Sequence, residues 1–400
     1  MNAAPTGLKI RVVGAISDVP AAAWDALANP RAGAAPDGDP ASERYNPFVA
    51  HGFLRALEVS RSVGGKSGWT PAHVLVEDAA GALVGAAPTY VKAHSFGEYV
   101  FDHAFADAYA RAGGRYYPKL QVAAPFTPVG GPRLLTAATG PAGAVVRAKL
   151  IEGLRALRGR LGASSIHVTF GDAHDAEALD AAGFLARTGE QFHFFDEGYR
   201  DFEGFLAALA SRKRKAIRKE RAAAMAEGIV VRRLTGADLR EAHWDAFFEF
   251  YMETGSRKWG RPYLTRDFFS ELGAAMADRV LLVMAERDGR PIAGALNLVG
   301  DDALYGRNWG AVEHVPFLHF ELCYHQAIEF ALERGLKRVE AGAQGEHKLA
   351  RGYRPVATRS AHEFADPRLA RAVAAYLAEE RPAVEAGIEA YEEATPFKRG

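Results

Sequence analysis

Hydrophobic and polar positions along this chain fall into blocks, and the blocks come round twice. "KIRVVGAISDVPAAAWDALA" (Lys9–Ala28) alternates at first, turns, and then carries apolar residues at helical spacing. "GIVVRRLTGADLREAHWDAFFEF" (Gly228–Phe250) does the same, and Trp24-Asp25-Ala26 aligns with Trp244-Asp245-Ala246. "NPFVAHGFLRALE" (Asn46–Glu58) and "RPYLTRDFFSELG" (Arg261–Gly273) are each a Pro-aromatic entry into a helix. His73–Lys92 and Val280–Gly300 alternate on both sides of a glycine-containing turn, as a hairpin requires. Leu150–Thr188 and Cys323–Thr358 each give a helix, a short strand, a polar stretch and a Gly-aromatic step, at Gly183-Phe184 and Gly352-Tyr353. Four blocks in one order make duplication a better explanation than chance.

Each half therefore predicts strand–helix–helix–strand–strand–(strand)–helix–strand–helix–strand. That is an α/β (α+β) arrangement whose sheet is mixed, with an antiparallel meander first and a parallel crossover later. The domains expected are 1–197, a basic helical connector over 198–227, and 228–400 with a helical tail. The first half carries about 40 additional residues between hairpin and helix, and a loop of that length in a compact domain is more often functional than not. They hold "GGRYYPKLQVAAPFTPVGGPRLL" (Gly113–Leu135), rich in Gly, Pro and Tyr and expected as an inserted loop.

Composition narrows the function classes. Lys+Arg and Asp+Glu both total 49 in 400 residues, so any nucleic-acid binding must be local rather than a property of the whole chain. Cys323 is the only cysteine, which excludes an internal disulfide and a thiolate cluster and fits a reducing, cytoplasmic compartment. No window reaches the roughly 18 apolar residues of a spanning helix. The thirteen histidines show no H-E-x-x-H or similar ligand spacing, so no metal is expected.

The chemistry concentrates at "FELCYHQAIEFALERGLKRVEAGAQGEHKLARGY" (Phe320–Tyr353). Phe320, Tyr324, Ile328 and Ala331 form a helical stripe expected to be buried, with Cys323 on the same inner half as an inert thiol. Glu321, His325 and Glu329 form a second stripe, and Gly335 supplies a left-handed C-cap. A short strand through Glu340 follows, and Glu346, His347 and Lys348 emerge at its carboxyl end, where open α/β sheets place ligands. Acyl transfer to an amine needs a proton acceptor, and His347, with an imidazole pKa of roughly 6.5, needs no tuning for that. Glu340 would need burial to raise its pKa, and the strand position favours it over Glu346. The same three ionisable residues also suit a solvated turn. "SRKRKAIRKER" (Ser211–Arg221) is a basic helix, read either as a soluble connector or as a phosphate contact. Tyr116, Tyr117, Lys119, Gln121 and Arg133, among prolines, read as a rigid wall giving acceptor specificity, or as a hairpin covering the first sheet.

The order of elements is similar to that of the GNAT acyltransferases, and two tandem copies resemble the FemABX peptidyltransferases. More closely, Tyr116–Leu135, "KWGRPYLTRDFF" (Lys258–Phe269) and His319–Pro355 resemble the FemAB-like "peptidoglycan biosynthesis/recognition" family over nearly the whole chain. The resemblance implies two tandem GNAT-like domains in a bacterial N-acyltransferase, with acyl-CoA or aminoacyl-tRNA as co-substrate and no tightly bound cofactor. It implies an amine acceptor, a small molecule or a peptide, and a role for Lys348 in holding a phosphate, a carboxylate or the developing oxyanion. Arg307-Asn308-Trp309-Gly310 stands where GNAT enzymes keep the pyrophosphate loop, so Arg307, Trp309 and Gly310 are expected to bind the donor. The second glycine of that loop is replaced by Val312, and Glu313 follows. Arg214, Lys215 and Arg218 would engage a tRNA donor, and Tyr353, Glu321 and His325 join the acceptor-binding set. Two other readings stay open: a recognition protein without chemistry, and an acyl-CoA-dependent acetyltransferase of a small amine.

Overall fold

The computed structural model describes residues 7–33, 45–258, 262–342 and 345–398. Trp259-Gly260-Arg261 and Ala343-Gln344, which belong to two of the motifs above, lie outside the described residues. The chain divides into two compact units, Met1–Gly189 with Ala357–Ala386, and Glu190–Val356 with Gly387–Gly400.

The first unit runs β1 (Lys9–Val13), α1 (Ala21–Ala28), α2 (His51–Val59), β2 (Trp69–Pro71), β3 (His73–Glu77), β4 (Leu83–Ala87) and β5 (Thr89–Lys92). It continues with α3 (His103–Arg111), β6 (Lys119–Val122), α4 (Gly140–Leu161), β7 (Ser165–Val168) and α5 (Ala173–Ala181). Strand β8 (Leu185–Phe195) carries the chain into the second unit. There follow α6 (Phe202–Ala208), α7 (Ser211–Ala224), β9 (Ile229–Leu234), α8 (Glu241–Lys258), α9 (Arg266–Met276), and the meander β10 (Val280–Arg287), β11 (Arg290–Val299) and β12 (Ala303–Ala311). A continuous helix is then built from α10 (Leu318–Phe320), a π turn (Glu321–His325) and α11 (Gln326–Glu333). After it come β13 (Arg338–Glu340), a 3-10 turn (Glu346–Arg351), β14 (Arg354–Phe364) and α12 (Pro367–Glu393). Gly335 ends α11 with φ +67°, the left-handed cap expected of it. Among the described residues no helix is long and apolar enough to cross a membrane.

Each unit contains a parallel strand pair. β6 runs parallel to β7 in the first, and β12 runs parallel to β13 in the second. The last strand of each half is exchanged. The C-terminal half of β8 pairs with β13 through His193↔Glu340, whereas β14 pairs with β7 through Ala361↔Val168. The expected boundaries at 197 and 227 follow sequence order. The compact units follow this exchange instead, and α6 and α7 are part of the second unit rather than a separate connector.

Two sequence expectations need correction. The first-half hairpin is not a single meander: β3 and β4 join β1 in a three-stranded sheet, and β5 leaves for the larger one. The break falls at Pro88, which has no N–H to carry the ladder on. The inserted segment 113–135 is not all loop, because Lys119–Val122 is β6, lying between β5 and β7. Leu120 and Val122 face the apolar core, but Lys119 and Gln121 on the opposite face are equally buried. Buried polar residues erased the alternation by which a strand is recognised.

Candidate active site

Three departures from regular backbone converge in the second unit. β12 and β13 pair only at Ala303↔Arg338, Leu304↔Val339 and Tyr305↔Glu340; β12 then continues to Ala311 while β13 stops, so the sheet opens. Opposite β11 the register passes from Leu296↔Asn308 to Asn297↔Gly306, leaving Arg307 as the additional residue of a β-bulge. Bulges re-aim side chains and recur beside active sites. Packed beneath is the π turn Glu321–His325, a helix defect with the same association. The space between them is a cavity of about 90 Å³, lined by Gly306, Arg307, Asn308 and Trp309 of β12, by Ala341, and by His319, Cys323 and Tyr324 of the helix. That is room for a narrow acyl arm or a few waters, given roughly 30 Å³ per water.

The segment after β13 closes around this helix. Tyr324 and His347 share a hydrogen bond of 2.8 Å between the phenol oxygen and Nε2. The Lys348 ammonium is fully buried and donates 2.9 Å to the carbonyl of Gly342. Burial pushes its pKa down to about 8. Among the described residues one carbonyl serves its three N–H donors. Arg351 lies 3.4 Å from the Phe320 ring centroid and donates to Glu220 of α7 at 2.8 Å and to the His347 carbonyl at 2.7 Å. The Arg351 bond holds the His347 main chain, and the Tyr324 bond holds its ring. Tyr353 is fully buried against Tyr324, and among the described residues its hydroxyl has no hydrogen-bond partner.

The expected catalytic residues thus separate into two pairs. His347 and Lys348 meet the helix that lines the cavity. Glu340 is buried, accepts from Arg338 Nε at 2.9 Å, and has its other oxygen 3.8 Å from His193. Glu346 is exposed and accepts a hydrogen bond from Tyr391 at 2.7 Å. Glu321 and His325 are buried within the π turn; Glu321 is held by Arg221 at 2.9 and 3.0 Å, and burial lowers the His325 pKa.

Arg307–Gly310, expected as a pyrophosphate loop, is not a loop. It is the end of β12, and Asn308, Trp309 and Gly310 are paired with β11. Gly310 is required by packing, since a Cβ there would sit 2.2 Å from the Phe250 carbonyl oxygen. Arg307 and Trp309 do line the cavity. Glu313, which follows in sequence, is bound by Arg287 and Arg290 of the β10–β11 hairpin. Cys323 is half-buried and lines the opening, not the inner core position expected for it. His319, Asn308 and Tyr324 were missed as lining residues, because the bulge and the π turn that place them have no sequence signature.

A family model described as FemAB-like, peptidoglycan biosynthesis/recognition, matches residues 15–399. The chain belongs to the FemAB-like family. No curated protein sequence matches it. The fold of this FemAB-like chain is similar to that of a crystal structure of FemX, with a TM-score of 0.55 at 11% identity over 91% of this chain and 100% of that one. A tandem GNAT protein from the clavulanic acid biosynthesis pathway gives 0.50 at 13% identity, covering 90% and 99%. The C-terminal domain of a putative lysylphosphatidylglycerol synthetase from Agrobacterium fabrum gives 0.51 at 9%, covering 83% and 92%. At these identities the likeness establishes the fold, a tandem GNAT architecture.

The same fold position in the first unit of this FemAB-like chain is filled by its own residues. Past the parallel pair β6/β7, the Thr169 carbonyl accepts from Arg133 Nε at 3.0 Å and its hydroxyl from Gln121 at 2.9 Å. The rest of the Arg133 guanidinium binds the carbonyls of Val129, Gly131 and Pro132. Lys119 is fully buried among Ser95, Glu98 and Asp102. Burial opposes its charge, but the two carboxylates prevail and raise its pKa. Tyr116 donates to Asp102 at 2.7 Å, and Tyr117 shares a 2.8 Å hydrogen bond with Ser95. The acceptor set named from sequence is therefore divided: these five residues belong to the first unit, while Tyr353, Glu321 and His325 belong to the second.

In α7, Ile217 and Ala224 are buried while Arg212, Lys213, Lys215 and Lys219 face solvent. Arg214 is half-buried, and Arg218 pairs with Glu203. Arg221 ties this basic helix to the π turn through Glu321.

Proposed function

We propose that this chain transfers an acyl or aminoacyl group from an activated ester or thioester to a primary amine of a peptidoglycan-precursor type of acceptor. The convergence of bulge, opened strand pair and π turn on one cavity carries this reading. The cavity lining includes Tyr324, which bonds His347, and Ala341, next to the Gly342 carbonyl that Lys348 binds. The family's description supports the acceptor class. The donor carbonyl would enter the opening past Arg307 and Trp309. The neutral amine attacks that carbonyl, and the C–N bond forms as the π electrons move to oxygen. Lys348, mostly protonated at neutral pH with a pKa of about 8, holds the oxyanion. His347, oriented by Tyr324, takes the proton from the attacking nitrogen and passes it to the leaving oxygen or sulfur. No covalent enzyme intermediate is required.

The exposed lysines and arginines of α7, one ion pair away from the π turn, favour a donor carrying phosphates, for which aminoacyl-tRNA and acyl-CoA are the two candidates. The test is mass spectrometry of product after incubation with each donor and a lysine-containing precursor peptide. A mass increase on the peptide amine supports transfer; saturable binding of donor and peptide with no product would make the chain a recognition protein.

A further inference from the structure

The first unit holds a second cavity, of about 420 Å³, whose lining shares no residue with the opening at β12. It exists because β7 ends at Val168 while its antiparallel partner β14 extends beyond that point through Ser360 and Arg359. The departing chain turns at Phe170, which has φ +57°, and is pinned by Phe170 N–H to the Ser360 hydroxyl at 3.2 Å and Gly171 N–H to the Arg359 carbonyl at 3.0 Å. Helix α5 then starts under a capping box formed by Asp172 and Asp175. The gap is thus at the carboxyl end of a parallel strand, the usual ligand position of such sheets.

Its floor is apolar, from Val168, Leu179, Phe184 and Ala361, all buried. Its charges divide by element. The half-buried Arg187 of β8 and the exposed Arg359 of β14 and Arg381 of α12 make a basic wall, and Glu177 and Asp180, also exposed, lie three residues apart on the α5 wall. Arg187 is neutralised by a two-pronged contact with Glu380, at 2.8 and 2.7 Å. Arg381 is steadied by the Ala186 carbonyl at 3.1 Å. Among the described residues neither Arg359 nor Arg381 has a carboxylate within ion-pair distance, and neither Glu177 nor Asp180 has a cation. Opposite charges therefore face one cavity without pairing across it.

We propose that this cavity binds a zwitterion of the dipeptide class with small apolar side chains. A carboxylate at Arg359 and Arg381 together with an ammonium at Glu177 and Asp180 would satisfy both walls, with apolar side chains on the floor. Inorganic phosphate would meet the arginines but be opposed by the two carboxylates. The volume is in the range of small-ligand pockets and exceeds what a single small amino acid fills. The proposal holds whether or not the second unit transfers an acyl group.

The test is calorimetric titration of the full chain with Ala-Ala, N-acetyl-Ala-Ala, Ala-Ala-amide and phosphate. Ala-Ala should bind, with each blocked form and phosphate at least about tenfold weaker, equivalent to 1.4 kcal/mol. Arg359→Ala should weaken Ala-Ala binding by a similar factor, and Arg359→Lys should restore part of it. Glu177→Gln should weaken Ala-Ala but leave the weaker N-acetyl-Ala-Ala binding unchanged, which a mere folding defect would not do. Equal binding of free and blocked dipeptides, indifference to Arg359→Ala, phosphate binding as tight as Ala-Ala, or no binding at about 10 mM ligand would each overturn the proposal.

Discussion

In the proposed reaction Lys348 holds the oxyanion, and its burial has consequences in two measurements. Its pKa in the folded chain, about 8, lies below the ordinary 10.5 of a lysine. Between those values the unfolded chain binds more protons than the folded one, so stability rises with pH across that window. Below pH 8 the full cost of burying the ammonium is present. Lys348→Met should therefore stabilise the chain at pH 7 by on the order of 3 kcal/mol, with the gain vanishing above about pH 10.5 in denaturant titrations. A Met variant that is less stable at pH 7 would mean that the Gly342 contact outweighs desolvation. For activity the expectation is the reverse: transfer should fall by about 10²–10³ in Lys348→Met, as for loss of an oxyanion donor. In the wild type the rate should drop as pH rises through about 8, and Lys348→Arg should move that limb upward. His347 and Lys348 stand out in the sequence by their place beyond a strand together with the family resemblance, since the residues alone also suit a solvated turn. Their partners do not, because Tyr324 reads as one more apolar position in a helical stripe and its hydroxyl's direction is set by tertiary packing.

Elements were predicted well wherever periodicity was intact. The helix–strand unit ending at Gly335 and Glu340 and the β10–β11 hairpin follow from spacing and turn residues. What the spacing hid were the irregularities. A π turn adds one residue to a helix without changing its composition, and the Arg307 bulge does the same to a strand, so both look regular on paper. β6 was masked by the opposite effect, with Lys119 and Gln121 buried where a strand's polar face should be wet. Gly310 illustrates how an element-level reading can assign the right residue the wrong cause: it permits α8 to lie against β12, as Gly294 does against Phe247. Gly310→Ala should cost about 1–3 kcal/mol by overpacking against the Phe250 backbone, read as a lower denaturation midpoint. An unchanged midpoint would return that glycine to a ligand role.

At the scale of the whole chain, the duplication was plain in the sequence and the exchange of last strands was not, since strand pairing between distant segments leaves no local trace. Residues 357–386 supply the first unit with a strand beside β7 and with Leu369, Val373 and Leu377, which pack on Phe105 and Tyr116. Truncation after Val356 should therefore loosen the first unit, with loss of hydrogen-exchange protection in β6 and β7, and a peptide of residues 357–386 should restore it. Protection unchanged by truncation would contradict the exchange. Basic α7 is a second feature of this scale. If the donor is an aminoacyl-tRNA, binding should weaken steeply with salt, and replacing Lys213, Lys215 and Lys219 by Ala should reduce the salt slope by about 2–3.

In the proposed reaction the opening between β12 and β13 is where an acyl group changes partners. A single-turnover assay answers it most directly: donor and precursor peptide are mixed with excess protein, and the peptide amine is weighed by mass spectrometry for the wild type and for Lys348→Met. Acylated peptide is expected from the wild type, and product reduced by about 10² or more in a variant that is folded and still binds donor. Product formed equally well by Lys348→Met, or no product from a wild type that binds both ligands to saturation, would contradict it.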